Sequence, residues 1–197
     1  MTLVLASGSA ARKALLAAAG VPFTAEPAAI DERALEIPLL AGGASPADIA
    51  TALAEAKAVA VSREETGALV VGADQTLDLD GRRWTKPASA AEAREQLAML
   101  SGREHRLHSA VAVARGGRVI WLHADSASLT MRALSPTAID AYLAEAGDAA
   151  LGSVGGYQVE GPGIRLFERI DGDYFTILGL PLLPLLAYLR AEGEIGW

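Results

Sequence analysis

The sequence predicts a mixed α/β fold built on one bent sheet, and three observations predict it. Apolar strand-like runs alternate with helical stretches through the first half of the chain. A strand-rich middle follows, from Arg106 to Ala133, which a simple doubly wound fold would not have. The 197 residues are 51% hydrophobic and 21% charged, and much of the hydrophobic share is alanine, so helices are plentiful. That length suits a single domain over residues 1–197.

Taken in order, Thr2 to Ala6 reads as a short strand, Ser7-Gly8-Ser9 turns the chain, and Ala10 to Ala19 is a helix closed by Gly20. Phe23 to Ile30 is extended, with prolines at 22 and 27, and Ile30-Asp31-Glu32 leads into a polar loop through Gly42-Gly43. Ser45-Pro46 starts a helix, with serine as cap, proline at the first position and Asp48 in the first turn; it runs to Arg63 and carries Lys57. Leu69 to Ala73 is a buried strand ending in Asp74-Gln75-Thr76. Leu77 to Asp80 and Arg82 to Trp84 flank an Asp80-Gly81 hairpin turn. Ser89 caps a helix from Ala90 to Leu100, stopped by Ser101-Gly102. Arg106 to Ala114 and Arg118 to Ala124 are paired strands about Gly116-Gly117, and Ala127 to Ala133 is a further strand. Ser135-Pro136 opens a helix through Ala144, stopped at Gly147. Gly152 to Gly163 is a glycine-rich shaped loop, Leu166 to Ile170 a strand, Asp171-Gly172-Asp173 a turn, and Leu182 to Arg190 the last helix.

Several function classes are excluded. There is no cysteine, so disulfides and thiolate metal sites are out. The histidines His105, His108 and His123 have no metal spacing and receive no role. A net charge of −7 disfavours nucleic acid as a partner. The most apolar segment, Ile177 to Leu189, is interrupted by Pro181 and Pro184 and is too short to span a bilayer, so it reads as core and no membrane partner is expected. The first residues lack the charge order of a signal peptide, and a cytoplasmic location is expected.

Two segments carry chemistry. A strand ending in Ser7-Gly8-Ser9 and feeding a helix makes an anion site, because the first helical N–H groups are unpaired and the helix dipole is positive there. Arg12 beside it can grip phosphate bidentately. The bland alternative is a capping Ser9 and a surface Arg12, and the segment alone does not choose. Asp74 closes an apolar strand, where α/β sheets place reactive groups, and could hold a divalent ion or take a proton from water. The alternative is a turn aspartate. Asp31-Glu32 could add a second carboxylate or be a solvated pair. Lys57 and Lys86 could each neutralise phosphate.

The blocks that hold these residues resemble the Maf family of nucleoside triphosphate pyrophosphatases over nearly the whole chain. Leu5-Ala6-Ser7-Gly8-Ser9-Ala10-Ala11-Arg12 is similar to the family's opening motif, and Ile30-Asp31-Glu32 to its acidic loop. Glu55-Ala56-Lys57-Ala58, Val71-Gly72-Ala73-Asp74-Gln75, Gly81 through Lys86-Pro87 and Leu100-Ser101-Gly102-Arg103-Glu104-His105 match four further blocks. Gly155 to Gly161 and Gly172 to Leu182 match the last two. The resemblance implies an inosine-triphosphatase-like fold, a mixed, strongly bent sheet with two lobes flanking a cleft. It implies hydrolysis of a nucleoside triphosphate between the α and β phosphates, with Mg²⁺ or Mn²⁺. Asp74 becomes the proton acceptor, Glu32 and Asp74 the metal ligands, and Ser7, Arg12, Lys57, Lys86, Gln75 and Glu160 the substrate contacts. A homodimer is compatible with it.

Three departures from the family pattern stand out. Ala10-Ala11 replaces Pro-Arg, and Gly152-Ser153-Val154-Gly155 replaces Asp-Lys-Ala-Gly, so two cations are missing. Gln75 and Glu160 are the pair typical of the branch similar to 7-methyl-GTP enzymes, where the dTTP and UTP branch has Thr and Gln. The branch similar to 7-methyl-GTP enzymes often has tryptophan where Ala11 stands. Base specificity is therefore expected at Ala11, Gln75 and Glu160, favouring guanine-like or modified purines. The alternative is a nucleotide-binding regulator of septum formation with little turnover. A haloacid-dehalogenase-type phosphatase is excluded, since Thr76 stands where its second aspartate is needed.

Overall fold

The computed structural model describes residues 2–197. In chain order, β1 (Leu3–Leu5) leads through Ser9, which caps α1 (Ala10–Ala18), to β2 (Thr24–Ala25). Then come α2 (Glu32–Ala41), α3 (Pro46–Glu64), β3 (Leu69–Leu79), β4 (Arg82–Trp84) and α4 (Ala90–Leu100). The long strands β5 (Glu104–Arg115) and β6 (Arg118–Met131) precede α5 (Pro136–Ala146). Three 3₁₀ turns between residues 147 and 166 lead to β7 (Phe167–Asp171), α6 (Tyr174–Ile177) and α7 (Leu182–Ala191).

Among the described residues the strands form one mixed sheet in the order β2-β1-β3-β5-β6-β7, with β4 also on β3. β1 is parallel to β2 and β3, and every other pairing is antiparallel. Register shifts at Val113/Ala114 and Thr130/Met131 bend it. The mixed α/β class is as the sequence predicts. Two apolar clusters sit toward opposite ends of β3, one around Leu5, Leu69 and Leu185, the other around Leu77, Leu97 and Leu129. No helix of the described residues is long and apolar enough to cross a membrane.

Four local expectations are corrected. Residues 32–41 form α2 instead of a polar loop: Asp31 caps it, accepting from Ala34 N at 3.0 Å. Pro38 inside it, and the lack of any buried residue, hid the helix from a periodicity argument. Asp74 is not past a strand end. It lies in the middle of β3, because β5 pairs with β3 from Val70 to Asp78 and carries the strand through the polar residues. Residues 118–131 are one strand, since β5 likewise templates β6 across Asp125 and Ser126. The turn at 171–173 continues into α6, capped by Asp173. The Asp80-Gly81 hairpin is as expected, with φ of 55° and 79° at its two central residues.

One consequence of strand length positions the site. β1 pairs only with Leu69–Val71 and β4 only with Leu77–Leu79, both on the edge of β3 opposite β5. Residues 72–76 are therefore an open edge between them. Asp74 and Gln75 point to opposite faces of the sheet, yet both are reached through this gap.

Candidate active site

A cavity of about 720 Å³ opens at the gap in the β3 edge. Its walls include Ser7 to Arg12, Glu32, Lys57, Asp74, Gln75, Lys86 and Glu160, while Asp31, the other carboxylate of its loop, is not among them and caps α2 instead. Apolar walls come from Leu107, Val154, Tyr157, Val159, Ile177 and Leu178. The cavity also takes in Ala11 and Ser153, the two positions where the resemblance marks a missing cation.

The floor is set by how closely α3 lies on β3. A Cβ on Gly72 would stand 2.3 Å from the Ala54 carbonyl oxygen and 2.5 Å from Ala58 N, so only glycine allows this approach. The neighbouring contact is alanine throughout, from Ala50, Ala54 and Ala58 to Ala110, Ala112 and Ala114. Two residues along β3 from Gly72, Asp74 points the same way and meets Lys57 on α3. Lys57 Nζ donates to Asp74 Oδ1 at 2.6 Å and pairs with Glu32 Oε1 at 2.9 Å. The lysine is thus a bridge between two carboxylates. Asp74 and Lys57 are buried, while Glu32 is half exposed.

At the chain start, Arg12 turns inward. Ser9 does cap α1, accepting from Arg12 N at 3.4 Å, but Arg12 is no surface charge. Its Nε donates to Gly179 O at 2.7 Å, and one terminal nitrogen donates to Ala73 O at 2.8 Å and Ser7 Oγ at 3.2 Å. The Ala73 carbonyl belongs to the open edge of β3, so Arg12 supplies the partner that a neighbouring strand would have given. Burial pulls the guanidinium below its ordinary range, and the charges of Asp74 and Glu32 hold it up. The other terminal nitrogen makes no hydrogen bond among the described residues. Lys86 is exposed at the mouth.

Gln75 faces the other side of β3. Its Nε2 donates to Ser109 Oγ at 3.0 Å and to the carbonyls of Thr176 and Ile177 at 3.1 and 2.9 Å. Backbone carbonyls only accept, so the amide nitrogen must face inward and the oxygen is what Gln75 offers the cavity. Glu160 is exposed on the opposite wall and adds a carboxylate.

Sequence reasoning missed Arg83, which also lines the cavity and is gripped by Glu36 of α2. Alternation on β4 was the available signal: its neighbour Trp84 packs against the core, so Arg83 must face away. His105 is also absent from the expected site residues, and it lies outside the cavity. It is buried against Tyr157 and Phe167, with Nε2 2.7 Å from the Tyr157 hydroxyl, and burial lowers its pKa to about 4.

Asp74 and Glu32 converge on one point, since both reach the same ammonium. That is a fitting donor set for a hard divalent cation carried with phosphates, which takes one or two carboxylates plus phosphate oxygens and water. No group of three or more His, Cys, Asp or Glu residues among those described could hold an ion unaided.

Residues 2–192 match the family described as Maf-like protein. A 7-methyl-GTP pyrophosphatase of Rhizobium meliloti (strain 1021) is 58% identical over 193 residues, 98% of this chain and 97% of that protein. A nucleoside triphosphate pyrophosphatase of Rhodopseudomonas palustris (strain BisB18) is 58% identical over 190 residues, 96% of this chain and 93% of that protein. Among solved structures, the Ham1 protein of Staphylococcus aureus aligns with a TM-score of 0.49 at 13% identity, covering 98% of this chain and 100% of that one.

Proposed function

The chain belongs to the Maf family, and from that membership and the cavity's geometry we propose that it hydrolyses nucleoside triphosphates to the monophosphate and pyrophosphate. The observation that carries the reading is the convergence of Asp74, Lys57 and Glu32 beside an anion-binding helix start in one cavity.

Four cations line the cavity, Arg12, Lys57, Arg83 and Lys86, against three carboxylates, Glu32, Asp74 and Glu160. That balance falls well short of the charge on a triphosphate. It supports a requirement for Mg²⁺ or Mn²⁺, held by Asp74 and Glu32 together with the substrate's phosphates. The ion would add charge stabilisation on the phosphate oxygens and help activate the attacking water.

This chain's residues divide the remaining work. The N–H groups at the start of α1, the Ser7 hydroxyl and the free nitrogen of Arg12 hold phosphate oxygens. Lys86 at the mouth binds the distal phosphates. Lys57 engages Asp74 Oδ1 and fixes the carboxylate, so Oδ2 is the oxygen that takes the proton from water. As the α–β bond breaks, negative charge grows on the leaving pyrophosphate and is met by Lys86 and Arg12.

Gln75 and Glu160 present acceptors to the base. A guanine edge, with two adjacent donors in its N1–H and exocyclic amine, satisfies them, whereas uracil and thymine offer one N–H flanked on both sides by carbonyl oxygens that they repel. The 7-methyl-GTP pyrophosphatases among the relatives support the same choice. Ala11 leaves room beside the base. A cytoplasmic location, where nucleoside triphosphates are held, goes with this reading.

A panel of triphosphates assayed with Mg²⁺ and Mn²⁺ tests it. The expected result is pyrophosphate release, with the highest kcat/KM for 7-methyl-GTP or another guanine-type base and a ranking that shifts in Glu160→Gln. Highest kcat/KM for dTTP or UTP, or an unchanged ranking in the variant, overturns the base reading. Binding without turnover on every substrate overturns the enzyme reading in favour of a nucleotide-binding regulator.

A further inference from the structure

α2 is a helix without a core. None of its residues is buried, and Leu35, Ile37 and Leu40 are 39%, 60% and 50% exposed. Pro38 removes one of its internal hydrogen bonds. A ten-residue helix of this kind is marginal in water unless something docks it. Yet its first residue, Glu32, must stay within reach of Lys57 and Asp74.

Two ion pairs tether α2, and they are unequal. Glu32 meets Lys57 through one oxygen, and its side chain is 47% exposed. Glu36 meets Arg83 through both oxygens, at 2.7 and 2.6 Å, with side-chain exposures of only 12% and 18%. A paired fork shielded from water is both stronger and more directional than a single exposed contact. Glu32 and Glu36 lie one turn apart on the same face of α2, so fixing one orients the other.

The anchor on the other side is firm. Arg83 sits on β4, whose next residue, Trp84, packs against the core and pairs with Leu77 of β3. Three residues beyond Arg83 stands Lys86. Both terminal nitrogens of Arg83 are taken by Glu36, so Arg83 lines the cavity as a wall and leaves phosphate to Lys86 and Arg12.

We propose that Glu36 and Arg83 are positioning residues: their ion pair clasps α2 to the β3–β4 hairpin and thereby holds Glu32 in place for the reaction. The inference rests on the reading of Glu32 given above. It adds a coupling between Glu36, which belongs to none of the motif blocks, and Arg83, whose terminal nitrogens are both held by Glu36.

The test uses the full chain with Glu36→Gln, Arg83→Met, Arg83→Lys and the paired exchange Glu36→Arg with Arg83→Glu. Without nucleotide, hydrogen exchange at residues 33–41 should quicken about tenfold or more in Glu36→Gln and Arg83→Met, while α3 and β3 keep their protection. On pyrophosphate release, kcat should fall about 10- to 100-fold with little change in KM, as a misplaced group costs. Arg83→Lys, which keeps charge without the fork, should fall between, and the exchanged pair should recover part of both signals. A lowered thermal midpoint with unchanged kcat and unchanged α2 exchange means the pair only stabilises the fold and overturns the proposal. Faster α2 exchange without loss of kcat overturns it as well. If the unaltered protein turns over no triphosphate, the functional reading fails alone, and exchange at residues 33–41 still decides whether the clasp exists.

Discussion

The two carboxylates that share Lys57 are delivered in opposite ways. Asp74 comes from the middle of β3, on a floor where α3 lies so close that Gly72 admits no side chain. Glu32 comes from α2, which has no buried residue and is tethered by charge. The difference teaches where this site is rigid and where it can yield. The first carboxylate is fixed by the packing of α3 on β3, and the second by ion pairs from a helix that has no buried residue.

Removing the floor's reacting group should cost most. Asp74→Asn should lower kcat by about 10²–10⁴-fold, the usual worth of a general base. The fold should persist, because Lys57 keeps its partner Glu32. Steady-state kinetics beside a thermal melt checks both parts, and a loss below about tenfold would move the base elsewhere.

The core beyond the floor, around Tyr157 and Phe167, should respond to acid. His105 has a pKa of about 4 when folded against 6.5 when unfolded. The unfolded chain therefore takes up a proton first as pH falls. Stability from this group is complete above pH 6.5 and is lost as pH falls toward 4, by about 3 kcal/mol at the limit. Denaturant unfolding at several pH values should show that slope, and His105→Phe should flatten it.

Packing on the floor comes next. Gly72→Ala should destabilise by about 1–3 kcal/mol or more, since backbone atoms of α3 must shift to admit the new carbon. Turnover should drop with it, because Lys57 moves away from Asp74. The matching change on the other side should do almost nothing to stability. Ile37→Ser on α2 should stay within about 0.5 kcal/mol, because the side chain is 60% exposed. A large loss there would mean that α2 docks through apolar contact after all, and the contrast would collapse.

Much of the floor was legible in the sequence. The capped start of α3, the hairpin at Asp80-Gly81 and the Ser7-Gly8-Ser9 helix start follow from local chemistry, and the motif blocks held Ser7, Arg12, Glu32, Lys57, Gln75, Lys86 and Glu160, which line the cavity with Asp74. What was not legible depends on distant partners. Asp74 looked like a strand end because aspartate is rare in strands, and only pairing with β5 carries the strand past it. The gap in the β3 edge arises because β1 and β4 are both short, which no local pattern reveals. α2 leaves its apolar residues unburied, so no core-facing stripe betrays it, and its hold on Arg83 joins residues 47 apart.

The most direct test of the account is the identity of the products. Phosphorus NMR of 7-methyl-GTP incubated with the protein and Mg²⁺ should show pyrophosphate and the nucleoside monophosphate appearing in equal amounts, and Asp74→Asn should nearly abolish both. Orthophosphate and a nucleoside diphosphate as the first products would contradict it.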